Sequence, residues 1–249
     1  MFVFIRSIIL FILIGCWISL SPAIAHADDR KVRFATMELA PYGFLDESGN
    51  ITGYLYEIAN LIIGTAELPI INGLFPVERM IKEITDGRRD CTIAVDAPII
   101  IKIFQLIEKI GKKIKSGILP RKGITISNYH DLYNHVIAVP HGTSFTLKFD
   151  KDDEIKRQFT NGYRHSINMM VRGRVDAIAG AIDSLRYSAR KNQLVPNDIF
   201  GEAFIFTTSE LWLVCAKDQL SPKMKEHLKQ TVIQLRDSGE FQIIIDKYL

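Results

Sequence analysis

Apolar residues recur along this chain in two alternating rhythms. Leu55, Ile58, Ala59, Ile62 and Ile63 fall at helical spacing, and so do Met80, Ile81 and Ile84. Between such stripes lie short apolar runs of strand length: VRFAT (32–36), PII (69–71), CTIAV (91–95), VIAV (136–139), AIAGAI (177–182) and WLVCA (212–216). Further helices are predicted from about Ser144, around 164–172, from Ser184, over 222–236 and over 240–248, the last two parted by Gly239. The loop APYGFLDESGN (40–50) carries the Gly, Asp, Ser and Asn of turns. Strands alternating with helices predict an α/β protein built on mostly parallel sheets.

The pattern is written twice. GRRDCTIAVD (87–96) returns as GRVDAIAGAID (173–183), and a strand–helix series restarts after residue 120. Each Gly stops a helix and each Arg sits in a solvated turn. Asp90 and Asp176 open strands as turn acids that accept backbone N–H groups. Asp96 and Asp183 instead follow the strands' carboxyl ends, where open α/β sheets bind ligands.

The N-terminus stands outside that pattern. One positive side chain in residues 1–6, an apolar stretch over 7–20 and Ala25-His26-Ala27 lay out a secretory signal peptide over 1–27. Two alternatives stay open: a lipoprotein acylated at Cys16, within Leu-Ile-Gly-Cys, and an uncleaved anchor just long enough to span a bilayer. All three send the protein out of the cytoplasm, and the periplasm is the expected location. The formal net charge is only +3, one unit of it Arg6, and no Lys/Arg-rich tract alternates with aromatics. A nucleic-acid surface is therefore not expected. Cys91 and Cys215 lie in apolar runs and read first as buried free thiols, with a disulfide as the alternative.

The order of five segments resembles the family 3 extracellular (periplasmic) solute-binding proteins of amino-acid-type ABC transporters. These are APYGFLDESGNITGYLYEIANLI, GRRDCTIAV, DLYNHVIAVPHGTSF, RGRVDAIAGAID and LRDSGEFQIIIDKYL. The resemblance implies a type II periplasmic-binding-protein fold with two α/β lobes joined by two hinge crossovers. Lobe one is expected over 28–120 plus 207–249, and lobe two over 121–206. A small polar or anionic solute, amino-acid-like or an organic acid, would be enclosed between them and handed to the membrane permease of an ABC transporter. A monomer without cofactor or metal is expected.

The resemblance also locates residues. The family's carboxylate-binding Arg falls on Lys102, which keeps charge but loses the planar fork. The hydroxyl contact falls on Ala97, and the ammonium-binding Asp falls on Ala181. In the stretch PHGTS, Thr143 and Ser144 match a Gly-Thr-Thr turn, so with His141 they would offer a helix N-terminus to an anion, or serve as a simple N-cap. Tyr42 and Phe44 match cleft-lining aromatics, with lobe-one core as the alternative. Asp96 would face a cationic group or cap the next segment. Asp183 reads more readily as a helix cap than as a contact, Arg79 more readily as surface, and Glu38 is a further rim candidate. The run from Ile99 to Ile107 is too apolar all round for a surface helix, which implies core packing or a partner's docking face. The runner-up function is a dehydratase-like periplasmic enzyme on the same fold, using cleft carboxylates. No metal-binding, nucleophile-elbow or phosphate-loop motif supports it.

Overall fold

The predicted rhythms fold as alternating strands and helices in the computed structural model, which describes residues 31–249. The segment expected to be a signal peptide, with Cys16, lies outside the described residues. The first half comprises β1 (Phe34–Met37), the hairpin β2 (Phe44–Leu45) and β3 (Ile51–Thr52), α1 (Tyr54–Thr65), β4 (Asn72–Phe75), α2 (Val77–Thr85), β5 (Cys91–Val95) and α3 (Pro98–Ile103). A long strand, β6 (Phe104–Pro120), then crosses to the second half. There a 3-10 turn (Tyr129–Asn134) leads into β7 (Val136–Pro140), α4 (Leu147–Lys151), β8 (Lys156–Thr160) and α5 (Tyr163–Val171). β9 (Ala177–Ala181), α6 (Ile182–Lys191) and α7 (Pro196–Ile199) complete that half. β10 (Phe204–Ala216) returns, and α8 (Pro222–Asp237) and α9 (Glu240–Asp246) pack with α1.

Strand order explains why the sequence repeats itself. The sheet runs β4-β1-β5-β10-β6-β9-β7-β8, so each half is a parallel trio closed by an antiparallel crossover. Helices cover both faces of each trio. In the first half, one core gathers Phe34, Tyr54, Ile58, Ile62 and Leu228, and the other gathers Ala35, Met80, Ile84 and Phe104. In the second half, Ile167, Met170, Ile178 and Leu185 form one core, and Ile137, Phe149 and Ala179 belong to the other. These are the two lobes of a periplasmic-binding-protein fold.

The repeated acids do matching work. Asp90 Oδ2 accepts the N–H of Arg33 at the start of lobe one (2.8 Å), and Asp176 Oδ2 accepts that of Val136 at the start of lobe two (2.9 Å). Their surroundings differ. Asp90 is fully buried and gripped by the Arg33 guanidinium at 2.9 and 3.0 Å, whereas Asp176 stays partly exposed with Arg121 at 3.7 Å. The carboxylate raises the pKa of Arg33 chiefly by that hydrogen bond.

The two crossovers form one antiparallel ribbon from Phe104↔Ala216 to Ile118↔Phe204. Backbones come very close at Gly117, where an added Cβ would sit 2.1 Å from the Phe204 carbonyl oxygen and 2.8 Å from Ile205 Cα. Backbone cannot rotate aside as a side chain can. Gly117→Ala is therefore expected to cost at least the 1–3 kcal/mol or so typical of overpacking. A urea melt checks this; an unchanged midpoint would mean that the ribbon yields there freely.

Three expectations need correction. The strand expected over 69–71 pairs only from Asn72, because Pro69 has no N–H for a ladder and Ile70 is exposed. The apolar stretch after Pro98 is six residues of helix followed by β6, so no single helix carries all its apolar residues; Ile100, Phe104, Ile110 and Ile114 are buried in the core. Cys91 and Cys215 are joined as a disulfide rather than lying as free thiols. They sit directly opposite each other on β5 and β10, with Cα atoms 4.0 Å apart, a juxtaposition that only strand register creates.

Candidate functional site

Parallel strands point their carboxyl ends the same way, and the chain leaves each end in a loop that cannot pair further. Four such ends meet between the lobes. From lobe one come Glu38 and Leu39 after β1, and residues 76–78 after β4; from lobe two come residues 140–143 at the end of β7, and Gly162 and Tyr163 after β8. Together they line a cavity of about 260 Å³. The Glu38 N–H bonds the Phe75 carbonyl (2.7 Å), continuing the β1–β4 ladder and fixing that residue at the rim. Glu78 lies in the first turn of α2, where the helix dipole favours a carboxylate. Its Oε1 stands 3.5 Å from where a Cβ on Gly142 would be, so the two lobes approach each other at that point.

In lobe two, the His141 N–H bonds the Thr160 carbonyl (2.9 Å) and its ring stacks on Phe159 at 5.5 Å. Thr143 Oγ1 donates to the Pro140 carbonyl (2.6 Å). Tyr163 crosses over Gly180, where a Cβ would meet its ring at 2.6 Å, and its hydroxyl accepts the Ala181 N–H (3.0 Å). Its phenol therefore packs beside the small residue that the family resemblance aligned with an ammonium-binding Asp.

Of the residues singled out from sequence, Glu38, His141 and Thr143 line this cavity. Ser144 lies just beyond it, and the helix expected there begins only at Leu147, because Thr146 caps it through the Phe149 N–H. Ser144 Oγ donates to Asp150 (2.7 Å), and the Phe145 N–H bonds the same carboxylate at 3.1 and 3.2 Å. Ser144, which the resemblance matched to an anion-facing turn, is thus already bonded to an internal carboxylate.

The strand-end acids of β5 and β9 are engaged elsewhere, since those strands adjoin the crossovers. Asp96 Oδ1 accepts the Glu210 N–H (3.0 Å), locking β5 to β10. Asp183, in the first turn of α6, pairs with Lys112 of β6 at 3.0 Å. Lys102 lies on α3, where its carbonyl accepts Lys217 Nζ (2.7 Å). Arg79 projects from α2, two-thirds exposed, 3.5 Å from Glu83 and 5.8 Å from the centre of the Phe75 ring.

Tyr42 is buried edge-on against Tyr54 at 5.3 Å. Burial, then the neighbouring Tyr163, pushes its hydroxyl pKa far up, so it stays a neutral phenol. Tyr54 Oη and Ser184 Oγ, both buried, lack hydrogen-bond partners of ordinary geometry, although each influences the Tyr42 hydroxyl. Phe44 packs against Tyr187 at 5.8 Å and lines a second, more open groove of about 490 Å³ beside Arg164 and Lys191.

Sequence reasoning missed Glu78. Glu78 stands three residues beyond the end of β4, a strand that begins later than the PII run suggests. Among the described residues no group of three or more His, Cys, Asp and Glu side chains could hold a metal ion, and no helix is long and apolar enough to cross a membrane.

Comparison with known proteins agrees on the architecture. A histidine kinase sensor domain similar to periplasmic binding proteins superposes with a TM-score of 0.72 at 16% identity, covering 89% of this chain and 97% of its own. A mutant of the arginine-binding protein ArgBP from T. maritima gives 0.70 at 19% identity, over 88% and 94%. The ancestral amino acid-binding protein AncCDT-1, a precursor of cyclohexadienyl dehydratase, gives 0.67 at 17% identity, over 88% and 94%. No curated protein matches by sequence. The family model for bacterial extracellular solute-binding proteins, family 3, matches residues 32–249, and the chain belongs to that family.

Proposed function

We propose that this protein is exported to the periplasm, encloses a small polar solute between its lobes, and delivers it as a monomer to an ABC-type permease. Residues 28–120 with 207–249 act as one lobe and 121–206 as the other, hinged at the paired crossovers. The observation that carries this reading is the cavity at the carboxyl ends of β1, β4, β7 and β8, lined from both lobes. At about 260 Å³ it lies just below the ~300–1,000 Å³ range usual for drug-sized ligands, which suits a small solute. Closure on a ligand needs contacts that exist only in the closed state, and a cleft built from both lobes supplies them. The arginine-binding and ancestral amino acid-binding neighbours support a polar solute of this size.

A thermal-shift panel of amino acids, amines, organic acids and sugars tests it. A ligand at 100 times its Kd should add about 2.7 kcal/mol and raise Tm measurably. Silence across the panel would count against solute uptake. The second reading, a dehydratase-like enzyme, rests on Glu38 and Glu78 as a paired acid and base in the same cavity. Stoichiometric binding with no product from cyclic acids removes it.

A further inference from the structure

The charge of the cavity points to its ligand, granted the reading above that this cavity is the solute site. Among the described residues no Lys or Arg lines it, while two carboxylates do, Glu38 and Glu78, one from each of two adjacent strand ends. The cations that the sequence reading assigned to the site are turned to other work: Arg79 lies near Glu83 and Phe75, and Lys102 sits on α3. Lobe-two donors at and just beyond the cavity are engaged within the protein. Thr143 gives its hydroxyl proton to Pro140 and keeps lone pairs, and Ser144 and the Phe145 N–H are held by Asp150. An anionic group entering here would meet two like charges. A donor-rich cation would meet charge-assisted acceptors.

We propose that the cavity selects a cationic solute, a primary amine or guanidinium compound without a carboxylate, over anions and over zwitterionic amino acids. Glu38 and Glu78 act as its charge contacts from lobe one, and Thr143 Oγ1 accepts from it on lobe two. Because Glu78 stands against Gly142 of the opposite lobe, a cation held by Glu78 also bridges the closed cleft.

Agmatine and arginine form the discriminating pair, since they differ only by the carboxylate. Calorimetric titration of the purified protein, freed of copurifying solute, is made with agmatine, 1,4-diaminobutane, arginine, glutamine and succinate. The expected result is binding of agmatine or the diamine at least tenfold tighter than arginine, with no heat from succinate. Glu38→Gln and Glu78→Gln, both at exposed positions, should each weaken that binding about tenfold or more while leaving the melting temperature of the free protein unchanged. Arginine, glutamine or succinate binding as tightly as agmatine would overturn the inference and leave solute binding standing. Full affinity in both Gln variants would overturn it too. Silence from all five probes and from the wider panel would overturn both.

Discussion

Asp90→Ala is expected to destabilise the protein by about 3–5 kcal/mol, the range for removing one partner of a buried ion pair. The carboxylate has no exposed surface and holds three groups of Arg33: the backbone N–H at 2.8 Å, Nε at 3.0 Å and Nη2 at 2.9 Å. Truncation leaves that N–H and a partly sheltered guanidinium without their acceptor at the first strand of the lobe. A 150–250-residue protein loses roughly 2–4 °C of Tm per kcal/mol, so a fall of roughly 6–20 °C is expected. Asp176→Ala is the internal comparison. Its carboxylate does the same backbone duty for Val136, but it is partly exposed and its Arg121 partner is more distant, so about 1 kcal/mol is expected. Equal losses in the two variants would show that burial is not what separates the two copies of the motif.

Replacing Cys91 and Cys215 together by Ala is expected to cost about 2–5 kcal/mol. The bridge spans 124 residues of sequence, which include both crossovers and the whole second lobe, so it removes much freedom from the unfolded chain. It also ties the returning strand β10 to β5, the junction that Asp96 closes at its other end. Reductant should lower the wild-type denaturation midpoint toward that of the variant and leave the variant unmoved. Two freely reactive thiols at these positions in the denatured, unreduced protein would contradict the bridge.

How far the sequence reaches depends on the range of the interaction. Helical stripes such as Ile58, Ile62 and Ile63 and glycine stops such as Gly87 and Gly173 are local, so elements and their order could be read directly. The echo of GRRD in GRVD already implied two equivalent lobes, and the acids of both copies bond to the first strand of their own half. The candidate site was legible only in part. Glu38, His141 and Thr143 follow strands whose position was evident, whereas Glu78 follows a strand that pairing with β1, not local propensity, delimits.

Sequence alone therefore determined the α/β alternation, the two-lobe repeat and the family, because each rests on periodicity and motif order along the chain. Tertiary structure decided which strand ends face the cleft. β5 and β9 lead into Asp96 and Asp183, but each strand lies beside a crossover, so Asp96 is drawn to Glu210 and Asp183 to Lys112. β1, β4, β7 and β8 lie farther from the crossovers, and the loops that leave them come together as the cavity wall. The same long-range pairing set Cys91 opposite Cys215, on strands more than a hundred residues apart, and brought Glu38 and Glu78 to adjacent strand ends, arrangements that leave no local trace.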